Sequence, residues 1–159
     1  MLRHLLILSF SLSFTTGYGQ YYEENYVAEQ EEKTERAAIT IGILQGGGSL
    51  IGADLEVLLT KQVGLQVGAG LVGFGTAVNV HLKPDIRSSM ISFTYWNQGT
   101  GQSFTQNAIG PTFVYRGKKW FTAQIGLGKT LSKGPAFPKD VEQPPMMLLY
   151  SIGGYIPFQ

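Results

Sequence analysis

From residue 37 to residue 159 the chain alternates apolar and polar side chains in eight short runs, each bounded by turn residues. Alternation of period two is the mark of a strand with one face in an apolar phase. No stretch with the 3.6-residue helical period supplies an opposing layer, so the strands must provide that phase themselves or find it in a membrane. The composition leans the same way: 21 glycines and only 14% charged residues weaken any helix, yet suit a narrow tube in which glycine makes room for a large neighbour. The expected fold is all-β, a closed eight-stranded antiparallel up-and-down transmembrane β-barrel preceded by a signal peptide.

Residues 1–19 carry Arg3 and His4, a serine-containing apolar run over 5–14, and the small residues Gly17 and Gly19. The run is too short for a retained membrane helix and reads as a cleavable secretory signal, with the mature chain starting at Gln20. Residues 20–36 follow as an acidic, flexible leader: six glutamates stand against Lys33 and Arg36, with no continuous apolar face. The remaining residues, 37–159, form the barrel domain. After loss of Arg3 the basic and acidic residues balance at eleven each, which makes nucleic acid an improbable class of partner. There is no cysteine, hence no disulfide and no acylated N-terminal Cys.

The strands are expected at 37–44, 50–60, 62–72, 76–83, 88–97, 104–115, 120–129 and 146–158. In the second, Ile51, Ala53, Leu55 and Val57 oppose Gly52, Asp54 and Glu56; in the third, Val63, Leu65, Val67 and Ala69 oppose Gly64, Gln66, Gly68 and Gly70. The third strand thus has a nearly bare polar face. Turns are expected at 45–49, 73–75, 84–87, 98–103 and 116–119, and the proline-rich residues 130–145 make the longest loop. An even strand number brings both termini to one side, the periplasmic one, and turns that long loop outward.

Taken together, the signal peptide, the glycine-rich alternation of residues 63–75, the segment Gly110-Pro111-Thr112-Phe113-Val114-Tyr115-Arg116 and an aromatic near the C-terminus resemble the small eight-stranded outer-membrane barrels. In style the chain is similar to the porin-family-like outer-membrane β-barrel proteins of Bacteroidetes. The resemblance implies a bacterial outer-membrane location, lipid as the surrounding partner, and barrel-assembly machinery that reads the C-terminal strand, where Phe158 is penultimate. It transfers no activity, because such barrels include adhesins, enzymes and small-solute channels.

The side chains that carry chemistry fit a polar plug better than a catalytic centre. Asp54 and Glu56 share a face, and buried carboxylates in so narrow a barrel call for cationic partners. A barrel-interior network is expected from Asp54, Glu56, Gln66, His81, Lys83, Arg116 and Gln124. His81 is the only histidine left after signal removal, a poor basis for a triad or a metal site. No catalytic, metal or cofactor-binding residues are assigned. Residues 123–130 match a relaxed phosphate-binding loop, but Leu131-Ser132-Lys133-Gly134-Pro135 cannot start the helix such a loop requires. Tyr95, Tyr115, Trp120, Phe121, Tyr150 and Phe158 lie towards strand ends and suit an interfacial aromatic girdle.

Three functional readings follow. The first is an outer-membrane barrel with a side-chain-filled interior and a structural or surface-interaction role, without catalysis. A narrow channel for small solutes is the second, with Met90, Trp96 and Tyr155 standing in its way. In the third, a soluble periplasmic lipocalin-like barrel, the apolar stripe turns inward around a small ligand.

Overall fold

β-branched and apolar residues at every second position, such as Ile39, Ile41 and Ile43 or Val78 and Val80, favour extended backbone. The computed structural model, which describes residues 35–99 and 103–159, turns each run into a strand. The strands are β1 (Ala37–Ile43), β2 (Gly52–Leu58), β3 (Val63–Gly70), β4 (Gly73–His81), β5 (Met90–Gln98), β6 (Gln106–Arg116), β7 (Phe121–Lys133) and β8 (Met146–Phe158). Each pairs antiparallel with the next, and β8 pairs back onto β1 from Ala37↔Phe158 to Ile43↔Ile152, so the sheet is a closed barrel. The expected signal peptide, and the leader apart from Glu35 and Arg36, lie outside the described residues. Arg36 already hydrogen-bonds along both neighbouring strands, its N–H to Phe158 O and its carbonyl to Leu58 N–H.

With eight strands, the start of β1 and the finish of β8 share one end, here called the near end, with the turns at 59–62, 82–89 and 117–120. The far end carries residues 44–51, 71–72, 99, 103–105 and 134–145.

Burial follows the alternation. Isoleucines 39, 41 and 43, Leu55, Val67, Val78, Ile91, Phe93, Ile125 and Ile152 face outward and are exposed. Thr40, Asp54, Glu56, Asn79, His81, Ser92, Thr94, Thr112, Arg116, Gln124 and Ser151 face inward and are buried.

The bare face of β3 is where carboxylates sit. A Cβ at Gly68 would collide with the Asp54 carboxylate, one at Gly64 would come within 2.8 Å of Glu56 Oε1, and one at Gly70 would strike Ser49. The glycines therefore accommodate their neighbours' side chains and do not leave a passage.

Three boundaries differ from expectation. The β3–β4 turn is Leu71–Val72, closed between paired Gly70 and Gly73, and the expected turn residues 73–75 belong to β4. Gly73 takes φ 146°, a conformation open to glycine, while Leu71 and Val72 keep negative φ. β7 continues past Lys129 to Lys133 through a register shift in which Asn107 pairs with Ser132 and Ala108 with Thr130. The extra residue, Leu131, makes a bulge that simple alternation cannot register. Residues 123–130 are accordingly strand throughout, without the geometry of a phosphate-binding loop.

The third difference is the first far-end loop, whose residues 45–49 were expected merely to turn the chain. Residues Gln45–Gly48 form a tight turn, with left-handed backbone at its three glycines, that folds into the barrel mouth, with Gln45, Gly46 and Gly47 buried. Gly46 (φ 63°) lies against the backbone of Ala69 and Gly47 (φ 83°) against that of Phe74, an approach that leaves no space for a Cβ. Gly48 meets Trp96 and Gln98. At the near end Ile86, fully buried, tucks in from the β4–β5 turn against Ala38 and Leu58. Both ends of the tube thus carry inserts.

Gly68→Val should destabilise the barrel by roughly 1–3 kcal/mol or more through overpacking against Asp54. Ala69→Val, one residue along and facing outward, should be near neutral; urea unfolding of the two variants beside wild type is the measurement.

Candidate functional site

Glu56 is the hub of the lumen. On β2 it pairs with Gln66, and its side chain lies over the bare Gly64 of β3, which lets the carboxylate reach across to β4 and β6. Oε1 accepts from Asn79 Nδ2 at 2.5 Å and meets His81 Nε2 at 2.9 Å, while Oε2 accepts from Arg116 Nη2 at 2.6 Å. Both members of the Glu56–Arg116 pair are about 1–2% exposed. Taking two charges out of water is tolerable only with close pairing and extra hydrogen bonds, which Asn79 and His81 supply to the carboxylate. On the arginine side, Nη1 donates to Ile86 O, and the guanidinium stacks 4.9 Å from the Tyr155 ring centroid. Tyr155 in turn donates to Gly117 O at 2.6 Å. One ion pair therefore ties together β2, β4, β6, β8 and two near-end turns.

Gln66 joins this cluster, its Oε1 accepting from Asn79 Nδ2 at 3.0 Å. Asp54 Oδ1 accepts from Gly46 N–H at 3.2 Å, so the far-end insert is anchored on a lumenal carboxylate. A second group links Gln124 to Thr112 Oγ1 (2.8 Å), Thr94 Oγ1 (3.4 Å) and Ser151 Oγ (3.2 Å), across β5 to β8. Beyond it Trp96, Ala108 and Leu149 pack with Met147 into an apolar layer.

Asp54, Glu56, Gln66, His81, Arg116 and Gln124 all line the lumen; Glu56, Gln66, His81 and Arg116 form one connected set with Asn79, Asp54 holds the Gly46 N–H, and Gln124 belongs to the second group. Lys83 does not join. β4 ends at His81, and Lys83 is exposed in the following turn, where its N–H is held by Ser88 Oγ at 2.9 Å. Asn79 and Tyr155 in the first set, and Thr94, Thr112 and Ser151 in the second, are participants outside the expected network. The signal for Asn79 was present, two positions before His81 and so on the same face.

Tyr115, Trp120 and Phe121 form a near-end aromatic cluster, with ring centroids 6.3 Å (Tyr115–Phe121) and 6.1 Å (Trp120–Phe121) apart. Phe158 lies at the end of β8, and Tyr95 sits 6.2 Å from Phe74 towards the far end. Tyr150 is the exception to the girdle: it pairs with Ile125, well inside both β7 and β8, and so belongs to the wall. Just beyond Tyr95 the outward residues become polar, and Asn97 donates to Asn107 (2.6 Å), which donates to Ser132 (3.0 Å).

Among the described residues no group of three or more His, Asp or Glu side chains is arranged to hold a metal ion. Asn79 Oδ1, His81 Nδ1, Ser92 Oγ and Arg116 Nε are buried without a protein partner, a pattern that bridging water inside the lumen would satisfy. No protein-family model, no curated protein and no solved structure matches this chain.

Glu56→Ala, which strands the buried Arg116 guanidinium, should cost about 3–5 kcal/mol, whereas the double variant Glu56→Met/Arg116→Met should lose much less than the sum of the single changes. A double-mutant cycle by denaturant unfolding reads this coupling. At the near end, Arg87 donates to both Glu35 oxygens at 2.7 and 2.8 Å, and this hydrogen bonding holds the Glu35 carboxyl below its usual range. A depressed carboxylate stabilises the fold above its unfolded pKa and ceases to do so as pH falls through its folded one. Arg87→Ala should therefore cost at most about 1 kcal/mol at pH 7, a difference that closes as pH falls through the lowered pKa of Glu35.

Proposed function

We propose that this chain is a bacterial outer-membrane β-barrel with a closed, side-chain-filled interior and a structural or surface-interaction role. The observation that carries the reading is the inverted polarity of the barrel: apolar side chains outside on all eight strands, ionic and amide groups within. The buried apolar set comprises Ala37, Ala38, Leu58, Ala77, Ile86, Met90, Trp96, Ala108, Val114, Leu149 and Tyr155. Few of these are large side chains, whereas the rows of isoleucine, valine, leucine and phenylalanine stand exposed on the outer face. In water that core is too small, while in lipid the outer face becomes buried surface and the closed ladder satisfies the backbone.

The dimensions agree with this reading. On β8 the outward run from Leu148 to Phe158 spans roughly 25 Å at ~3.3 Å per residue and ~40° tilt, near the height of an outer-membrane apolar band. Aromatic clusters edge the band towards both ends, and Asn97, Asn107 and Ser132 succeed it at the far end. No helix among the described residues is long and apolar enough to cross a membrane. The likeness to the Bacteroidetes porin-family-like barrels belongs to the same proposal, as do the cleaved signal and the outward orientation of the far end.

A narrow channel is less well supported, because Met90, Trp96 and Tyr155 fill the lumen and Ile86 and the Gln45–Gly48 turn occupy its two ends. A lipocalin-like carrier requires an apolar lumen, opposite to the distribution found here. The far-end loops bear the surface role: residues 134–136 pair with 104–105 through Gly134 N–H to Thr105 O (2.8 Å) and Ala136 N–H to Phe104 O (3.2 Å). That pairing gives the displayed surface a fixed shape.

Expressed in a Gram-negative host, the protein should stay with outer membranes through carbonate extraction and migrate differently on gels before and after boiling. Release by carbonate or salt would remove the membrane assignment. Planar-bilayer recordings of purified protein should give no stable ionic steps, and steady conductance would favour the channel instead.

A further inference from the structure

The near-end turns enclose a cavity of about 410 Å³ between the β4–β5 turn and the start of the β6–β7 turn. Four cations line it, and two already have carboxylate partners: Arg87 is held by Glu35, and Arg116, at the cavity's inner side, by Glu56. Lys83 and Lys118 project from the two turns with no ion-pair partner among the described residues. Asp85, the one acid in the lining, is engaged by the Arg87 N–H at 2.8 Å. Ser89 Oγ accepts the Arg116 N–H at 3.2 Å, which leaves its own O–H proton to donate into the cavity.

Position narrows the chemistry further. Leu82, exposed on the outward face, lines the same cavity, so the opening meets the edge of the apolar wall. Lys118 sits two residues before Trp120, whose ring packs edge-on to Phe121. Trp and Tyr mark the interface of a membrane, and lysines beside them extend towards phosphate groups. Two unpaired ammonium groups and a hydroxyl donor, at the boundary between an apolar wall and water, match a phosphate with acyl chains running along the wall.

We propose that the cavity bordered by Lys83, Lys118 and Ser89 is a phosphate-binding site, occupied by the headgroup of an anionic phospholipid in the leaflet at the near end. The inference rests on the membrane reading above for its lipid, though the phosphate chemistry belongs to the side chains themselves.

Native mass spectrometry of the full chain in detergent tests it, with phosphatidylglycerol, phosphatidylcholine and inorganic phosphate as probes. Wild type should retain phosphatidylglycerol over phosphatidylcholine, and Lys83→Ala/Lys118→Ala should lower that retention on the order of tenfold. Undiminished phosphatidylglycerol on the double variant, or equal retention of both lipids by wild type, overturns the lipid site. Displacement of the lipid by millimolar inorganic phosphate supports the site and assigns it to the free anion. Carbonate extraction of both proteins separates the two levels of inference. A variant that stays membrane-integral but loses lipid supports the site, and a wild type that carbonate releases removes the lipid source while the phosphate arm still decides whether the anion binds.

Discussion

Closure of the sheet at the β1–β8 seam is the constraint on which the remaining structure depends. Until Ala37 meets Phe158 and Ile43 meets Ile152, two edges of unpaired N–H and C=O groups stay open, and neither lipid nor a neighbouring chain would leave them idle. The seam joins opposite ends of the domain, so its formation carries the largest loop-closure entropy of any pairing in the fold. Gly42 and Gly153 sit opposite each other there, and each lies so near the other strand's backbone that a Cβ on either would strike it. Small residues let the last pair of strands close without a side chain wedged between them.

Once the tube is closed, its bore dictates the interior chemistry. Eight strands leave space for side chains and little more, so each large inward group needs an opposing small one. Asp54 and Glu56 lie over Gly68 and Gly64, and Leu149 over Gly128. The ion pair of Glu56 and Arg116 then cross-braces the tube, with Asn79 and His81 bonded to its carboxylate and Tyr155 stacked on its guanidinium. Such a pair contributes less to net stability than its geometry suggests, since desolvation offsets most of the attraction. Its stronger effect is on register, because a one-residue slip of β2 would turn both carboxylates outward among the isoleucines.

Much of this was legible from residue order. The alternation in β2, β3 and β4 located Asp54, Glu56, Gln66 and His81 on one face, and Arg116, a candidate partner expected in the following turn, instead ends β6 on that same face. Lys83 was misjudged because parity continues past a strand's last residue, whereas the strand itself stops where the Pro84 turn begins to draw Ile86 into the lumen. The inserted turn at Gln45–Gly48 left no trace in periodicity, since three glycines read equally well as a free loop. Its position depends on Ala69, Phe74 and Asp54, all distant in sequence. Tyr150 resembled a girdle residue only because strand length was read without the register that sets it opposite Ile125.

The residue order by itself determined the number of strands, their approximate bounds and the division of side chains into two faces, because a pleated backbone sends successive residues to opposite sides whatever surrounds it. It did not determine which face is the inner one, as period two is symmetric between them. Tertiary structure made that choice, through the volume of a closed tube: glycines, amides and one braced ion pair fit inside eight strands, and the rows of isoleucine, valine, leucine and phenylalanine do not. The inserts that fill both ends were likewise decided there, since each is held by residues that only closure of the barrel brings together.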